Sequence, residues 1–179
     1  MNSLAEFVYQ VATTRHRFKF LLSVAGVIFW YGGVALMIFI SPWVDRRLDL
    51  ELSITPPVRL PIAIILLAIG VPMVVWTISR FFRARGTPIP FSPPPGFVTD
   101  GLYSIVRNPM HLGWVLVLIG LAVLRQSFSL LVIMVPFFIV AHIIYYKLVE
   151  EKELEKKFGQ AYLDYKKRVG MFIPRFWGS

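Results

Sequence analysis

The chain has 179 residues, of which 56% are hydrophobic and only 16% charged, and its net charge is +9. Soluble domains carry about 25% charged residues, so this composition excludes a disordered chain and argues against a water-soluble globule. The sequence has no cysteine, which excludes disulfides, thiolate metal sites and a cysteine nucleophile. The basic residues lie beside apolar runs, so we expect them to contact anionic lipid headgroups rather than nucleic acid.

Four long uncharged runs predict helices that cross a membrane. In chain order they cover residues 20–40, 60–79, 110–124 and 128–146. A spanning helix needs about 20 apolar residues, so three of the runs are long enough alone and the third is short. A soluble all-α core is the weaker alternative, because helices that are apolar on every side would have nothing to cover them.

The third and fourth runs are separated only by Arg125-Gln126-Ser127, a spacing that predicts a tight helical hairpin. We therefore expect an all-α integral membrane protein with about four transmembrane helices, followed by an interfacial C-terminal helix. Residues 4–12 also carry apolar side chains at helical spacing and could form a short helix lying on the membrane. The whole chain, 1–179, is predicted to be one membrane domain.

The distribution of basic residues predicts the orientation. Three Lys or Arg precede the first span, four lie between the second and third, and eight follow the fourth, whereas the two remaining loops hold three and one. Cytoplasmic segments of membrane proteins carry the excess of positive charge. We therefore expect both termini in the cytoplasm and a chain that crosses the cell (inner) membrane several times.

The longest polar segment, residues 81–107, falls on the predicted cytoplasmic side. It contains five prolines and three glycines, which forbid a continuous helix. The segment is either a stiff connector or a lid across a pocket, because irregular backbone at membrane depth persists only where it lines a cavity.

The third span is predicted to begin at Asn108. Asparagine is a favoured N-cap, and Pro109 fits the first helical position. The free N–H groups and the positive dipole end at this point, beside Arg107, favour an anionic group such as a carboxylate or phosphate. Gly113, near the first turn, allows either a neighbouring helix or a flat ligand to approach closely.

Two acidic residues follow the fourth run. On a helical wheel with 3.6 residues per turn, Glu150 and Glu151 fall on the same stripe as the apolar side chains, whereas Glu153 and Glu155 fall off it. We therefore expect at least one of the inner pair to have a functional role, with structural ion pairs to Arg107 or Arg175 as the alternative. The apolar stripe consists of Leu154, Phe158, Ala161, Tyr162 and Tyr165, and the side that faces water or headgroups includes Lys152, Lys156, Gln160, Lys166 and Lys167.

In this order and at these separations, the motifs resemble the isoprenylcysteine carboxyl methyltransferase family and its phospholipid methyltransferase relatives. The resemblance covers about residues 83–177. It is carried by Gly86-Thr87-Pro88 through Gly101-Leu102-Tyr103, Arg107-Asn108-Pro109-Met110-His111-Leu112-Gly113, Glu150-Glu151 with Leu154, Phe158-Gly159, Tyr162 and Tyr165, then Arg168-Val169 and Phe172-Ile173-Pro174.

The resemblance implies an integral-membrane methyltransferase that uses S-adenosyl-L-methionine, bound between the last two spans and the C-terminal segment. The chain departs from the family at His111, where tyrosine is usual, and near Met171, where a basic residue is usual and Arg175 could substitute. By position, the cofactor-binding residues implied are Asn108, Pro109, His111, Gly113, Glu150 and Glu151.

Arg107, His142 and Arg175 are the candidates for a catalytic role, and no metal is expected. His142 lies inside the fourth run, where an ionisable residue is a functional candidate, although Tyr145, Tyr146 or a backbone carbonyl could simply satisfy it. We expect a lipophilic acceptor that enters from the bilayer, either a carboxylate, a thiol or a phospholipid amine, with no obligate protein partner. The alternatives are an NADPH-dependent membrane reductase of the sterol-reductase type and a non-catalytic membrane assembly factor.

Overall fold

The computed structural model describes residues 16–83 and 98–175, and within these ranges the fold is helical without β-strands. The helices are α1 (His16–Leu48), α2 (Pro56–Arg83), α3 (Pro109–Arg125), α4 (Leu130–Phe158) and α5 (Gln160–Arg168). A single turn of 3-10 helix, Gly101–Ser104, precedes α3. The predicted N-terminal surface helix and the proline-rich residues 84–97 of the connector or lid lie outside the described residues.

Three helices are long and apolar enough to cross a membrane. The qualifying segments are Ile28–Leu48, Pro56–Arg80 and Leu130–Phe158, whereas α3, Pro109–Arg125, is an apolar helix of shorter length. The predicted all-α integral membrane fold is therefore confirmed. The count of four spans stays a prediction, because the 17 residues of α3 extend only about 25 Å, less than the thickness of the hydrocarbon core.

Helices α2 and α3 pack backbone to backbone where glycines face each other. A methyl group added at Gly70 would lie 2.8 Å from the carbonyl oxygen of Gly113, and one added at Gly113 would lie 3.0 Å from that of Gly70. Further along, Gly120 packs against Leu66 and Leu67. Small residues permit this close approach, which gives membrane helices the dispersion contacts that lipid does not supply.

The predicted hairpin between α3 and α4 is confirmed, and its turn is held against α1 by hydrogen bonds. The Ser127 hydroxyl donates to Asp45 Oδ2 at 2.5 Å, and the Ser129 N–H donates to Asp45 Oδ1 at 2.7 Å. The Leu130 N–H donates to Ser127 Oγ. A carboxylate from α1 and a serine hydroxyl thus satisfy N–H groups that the first turn of α4 leaves unpaired.

The C-terminal segment returns to the start of α3. Helix α4 ends at Phe158 because Gly159 has φ +54° and ψ −130°, a conformation that essentially only glycine adopts. Beyond α5, the Arg107 N–H donates to the Gly170 carbonyl at 2.8 Å and the Asn108 N–H to the Met171 carbonyl at 3.2 Å. The end of α4, the start of α3 and the segment after α5 therefore lie together at one end of the bundle.

Candidate functional site

A buried ion-pair network connects the start of α3 to α4 and α5. Arg107 Nη1 lies 2.6 Å from Glu151 Oε1, and the two side chains are only 9% and 10% exposed. The same nitrogen donates to the Tyr162 hydroxyl at 3.3 Å. Lys166 Nζ lies 2.6 Å from Glu151 Oε2 and 2.8 Å from Glu155 Oε1. Both carboxylate oxygens of Glu151 are thus paired, and the ion pair with Glu151 fixes the position of the Arg107 guanidinium.

Glu150, the neighbour of Glu151, has different surroundings. Within the described residues its carboxylate makes no hydrogen bond and no ion pair. It faces the phenols of Tyr103, Tyr145 and Tyr146 and interacts electrostatically with the Arg107 guanidinium. The two adjacent carboxylates therefore differ in their pairing. Both oxygens of Glu151 are paired within the protein, whereas Glu150 has no hydrogen-bond or ion-pair partner among the described residues.

Two further polar atoms near Glu150 are buried without a hydrogen-bond partner in the described structure. They are the Tyr145 hydroxyl and Nε of Arg107. Buried polar groups are nearly always paired, since leaving one unpaired costs about 1–3 kcal/mol. The Glu150 carboxylate, Nε of Arg107 and the Tyr145 hydroxyl all lack a hydrogen-bond partner among the described residues. Together they would suit a ligand that carries both an ammonium and a carboxylate.

Tyrosines before α3 and on α5 have raised pKa values. Burial, followed by the nearby carboxylate of Glu150, raises the pKa of Tyr103 well above its usual range. Burial also raises the pKa of Tyr165 to about 12, although Arg107 opposes this. The Tyr165 hydroxyl donates to the Tyr103 carbonyl at 2.7 Å, so α5 is fastened to the 3-10 turn that precedes α3.

Lys166 keeps its charge in the ion-pair network. Burial works against the charged ammonium, but hydrogen bonds to Glu151 and Glu155 outweigh it and raise the pKa of Lys166. The wheel places Lys166 toward water or headgroups, and the side chain is 34% exposed; its ammonium also reaches Glu151, because Gly159 ends α4 and redirects α5. The glycine directly before Gln160 is the signal in the sequence from which this break could be inferred.

The start of α3 matches its prediction in the backbone. Asn108 is the N-cap and Pro109 the first helical residue, but the Asn108 side chain makes no capping hydrogen bond. The main-chain N–H of Asn108 is instead held by the C-terminal segment. The side-chain amide of Asn108 therefore makes no hydrogen bond at the cap and could bind a ligand.

The two histidines, predicted to have separate roles, lie together between α1, α3 and α4. Their ring centroids are 4.8 Å apart, and Trp30 packs edge-on against both, at 4.7 Å from His111 and 4.1 Å from His142. His111 Nδ1 is hydrogen-bonded to the Tyr146 hydroxyl. His142 Nδ1 bonds to the Phe138 carbonyl at 2.5 Å, so a backbone carbonyl pairs with this one ring nitrogen. Tyr146, one of the partners expected for His142, is instead bonded to His111, and Trp30 of α1 completes the cluster.

Three predicted positions lie differently. Gly113 faces α2, whose Val74, Met73 and Gly70 occupy the space beside it, so the helix contact requires a residue without a side chain here. Arg175 is exposed and donates to the carbonyls of Lys166 and Lys167 at the end of α5. Glu153, placed off the inner stripe by the wheel, is buried.

These observations define an all-helical membrane protein with paired and unpaired charges gathered at one end of its last long helix. A family model described as phospholipid methyltransferase matches residues 58–161. The chain belongs to this family, which confirms the resemblance found in the sequence.

Curated relatives match over shorter stretches. The chain is 35% identical over 81 residues to methanethiol S-methyltransferase 1 of Bradyrhizobium diazoefficiens, a match that covers 45% of the chain and 27% of the relative. It is 32% identical over 99 residues to methanethiol S-methyltransferase 2 of the same organism, covering 55% and 36%. It is 34% identical over 80 residues to the protein-S-isoprenylcysteine O-methyltransferase of Tribolium castaneum, covering 43% and 27%. The chain thus matches little more than a third of the length of any of these relatives.

Proposed function

We propose that this chain is an S-adenosylmethionine-dependent methyltransferase of the membrane that acts on a lipophilic acceptor. The observation that carries the proposal is the set of unpaired polar groups at the end of α4: the Glu150 carboxylate, the Tyr145 hydroxyl and Nε of Arg107. S-adenosylmethionine carries an ammonium, a carboxylate and a positively charged sulfur, so the residues present fit this cofactor. When bound, it supplies a methyl group activated by the positive charge on sulfur.

Each residue of the site has a task toward such a ligand. Glu150 accepts hydrogen bonds from the ammonium, and Arg107, with the Asn108 amide, donates to the carboxylate. Glu151 and Lys166 are positioning residues, because their ion pairs hold Arg107 in place. A methyl transfer by in-line displacement requires mainly alignment and the exclusion of water. The burial of Glu151, Tyr146 and Tyr162 supports both at this site.

The acceptor is proposed to be a carboxylate, a thiol or a phospholipid amine that enters from the bilayer. The names of the relatives point to a small thiol and to an isoprenylated cysteine, and the family description to phospholipids. The large apolar side chains exposed on α1 and α2 match a protein surrounded by lipid. The proposed location is the cell (inner) membrane, with both termini in the cytoplasm and the site at that face.

Ligand binding and methyl incorporation test this function together. Detergent-purified protein should bind S-adenosylhomocysteine but not NADPH in isothermal titration calorimetry. It should also transfer label from methyl-labelled S-adenosylmethionine to a total membrane lipid extract, in which mass spectrometry identifies the product. Binding of NADPH alone would indicate a reductase. Binding of neither, with no label transferred, would indicate a non-catalytic protein that has kept the fold.

A further inference from the structure

The hydrogen bond of His142 determines which of its ring nitrogens can accept a proton. Nδ1 lies 2.5 Å from the carbonyl oxygen of Phe138, and a carbonyl oxygen only accepts, so Nδ1 carries the hydrogen. In the neutral imidazole the lone pair is then on Nε2. His111 is not fixed in this way, because its partner, the Tyr146 hydroxyl, both donates and accepts.

The surroundings leave this lone pair unused. The rings nearest to His142 are Trp30 at 4.1 Å, Phe138 at 4.2 Å and His111 at 4.8 Å, with Tyr146 further away at 6.2 Å. In the described part of the chain, Nε2 has no hydrogen-bond partner. His142 is buried but retains 7% of its surface, so a small reacting group has access to it.

The position of His142 along α4 relates it to the proposed cofactor site. It precedes Glu150 by eight residues, which is about 12 Å along the helix axis toward the bilayer interior. Tyr146 lies between them, bonds to His111 and faces Glu150. A lipophilic acceptor that comes from the bilayer meets the imidazole before it meets the charged groups at the membrane edge.

We propose that His142 is the general base that takes a proton from the methyl acceptor, and that the acceptor is therefore a nucleophile that carries a proton. This inference rests on the proposed function and narrows it, because a carboxylate acceptor is already ionised and needs no base. Thiols and protonated amines share this requirement, because both must lose a proton before they can accept the methyl group.

The proposed step balances in atoms and charge. The S–H or N–H bond of the acceptor breaks, and its proton goes to Nε2 of His142. The electron pair left on the acceptor forms the new bond to the methyl carbon. The bond between that carbon and the positively charged sulfur of the donor breaks, and its electron pair stays on sulfur. With a thiol acceptor, the positive charge lost by the sulfonium appears on the imidazolium of His142.

The substitution His142→Asn removes the base and keeps the local hydrogen bond. The asparagine amide can donate to the Phe138 carbonyl in place of Nδ1–H but has no group that accepts a proton at neutral pH. General base catalysis contributes about 10²- to 10⁴-fold. Transfer to octanethiol or octylamine should therefore fall about 100-fold or more, while the affinity for S-adenosylhomocysteine stays within about twofold of the parent.

Acceptors that need no base provide the decisive comparison. An octyl-substituted thiophenol is largely ionised at neutral pH, and an octylaniline is unprotonated, so His142→Asn should reduce transfer to whichever is used by less than about fivefold. The control Phe138→Leu disturbs the same ring packing with both imidazoles retained, and it should affect alkyl and aryl acceptors equally. An equal loss for both acceptors in His142→Asn, or no loss, would overturn the base assignment.

A spectroscopic measurement tests the same inference without turnover. Nitrogen NMR spectra of the ¹⁵N-histidine-labelled parent and of His142→Asn are compared, and the signals missing from the variant belong to His142. These signals should show a protonated Nδ1 and an unprotonated Nε2. The reverse tautomer would overturn the proposal while leaving the proposed function intact. A parent protein that binds no S-adenosylhomocysteine and transfers no methyl group would instead refute the proposed function, and this inference with it.

Discussion

Replacing Glu150 with glutamine tests the proposed site at the carboxylate that the protein itself does not use. Glu150 makes no hydrogen bond or ion pair within the described residues, so Glu150→Gln breaks neither kind of contact there. Glutamine keeps the volume of the side chain and removes its charge. The expected effect therefore falls on ligand binding and not on folding.

The magnitude follows from the bond that glutamate would make to the cofactor. A hydrogen bond between charged groups contributes about 1.5–3 kcal/mol, and each 1.4 kcal/mol corresponds to about tenfold in affinity. Glu150→Gln should weaken the binding of S-adenosylhomocysteine by about 10- to 100-fold. The midpoint of thermal unfolding without ligand should not fall, because the substitution removes no hydrogen bond or ion pair among the described residues.

Isothermal titration calorimetry on detergent-purified protein measures the affinity, and thermal unfolding of the same samples measures stability. Asp164→Asn is the matched control, since it changes the net charge equally at a side chain that is 52% exposed. The control should bind as the parent does. An affinity of Glu150→Gln within about twofold of the parent would show that Glu150 is not a ligand-binding residue, and the site assignment would then be wrong.

Four further outcomes are expected. Glu151→Gln leaves the buried Arg107 guanidinium without its carboxylate, and breaking a buried pair costs about 3–5 kcal/mol. Unfolding in detergent should therefore occur at a lower temperature, and ligand affinity should fall as well. Unchanged stability would contradict the network. Both oxygens of Asp45 accept hydrogen bonds from the start of α4, and Asp45→Asn replaces one of them with a donor, which should destabilise the protein by about 1–3 kcal/mol. Glu51→Gln, an exposed neutralisation in the next loop, should have no effect on unfolding in detergent. Gly113→Leu should destabilise the α2–α3 contact by about 1–3 kcal/mol, and the same change at Gly33, which has open space beside it, should not; equal unfolding curves would refute the packing argument. A reporter that is active only outside the cytoplasm should stay inactive when fused to the C-terminus, and strong activity would reverse the predicted orientation.

The local and periodic features of this protein could be predicted from its sequence. Apolar runs of about 20 residues predict spanning helices because the bilayer sets the length and the backbone must bond internally. Asn108 and Pro109 indicate where α3 begins, because the fixed φ of proline favours the first helical position whatever distant part of the chain packs beside it. The inward position of Glu151 also follows from helical periodicity, and the structure confirms that it is buried.

Which polar groups pair with one another was decided only by the tertiary structure. The helical wheel places Glu150 and Glu151 on the same stripe, yet only Glu151 forms ion pairs with Arg107 and Lys166. The break at Gly159 and the π-helical turn Tyr146–Glu150 change the direction and register that an ideal helix would continue. Partners such as Arg107 and Glu151 are 44 residues apart, and their pairing depends on the path of every segment between them. Periodicity describes one helix at a time, so it cannot indicate which side chains of separate helices come within hydrogen-bonding distance.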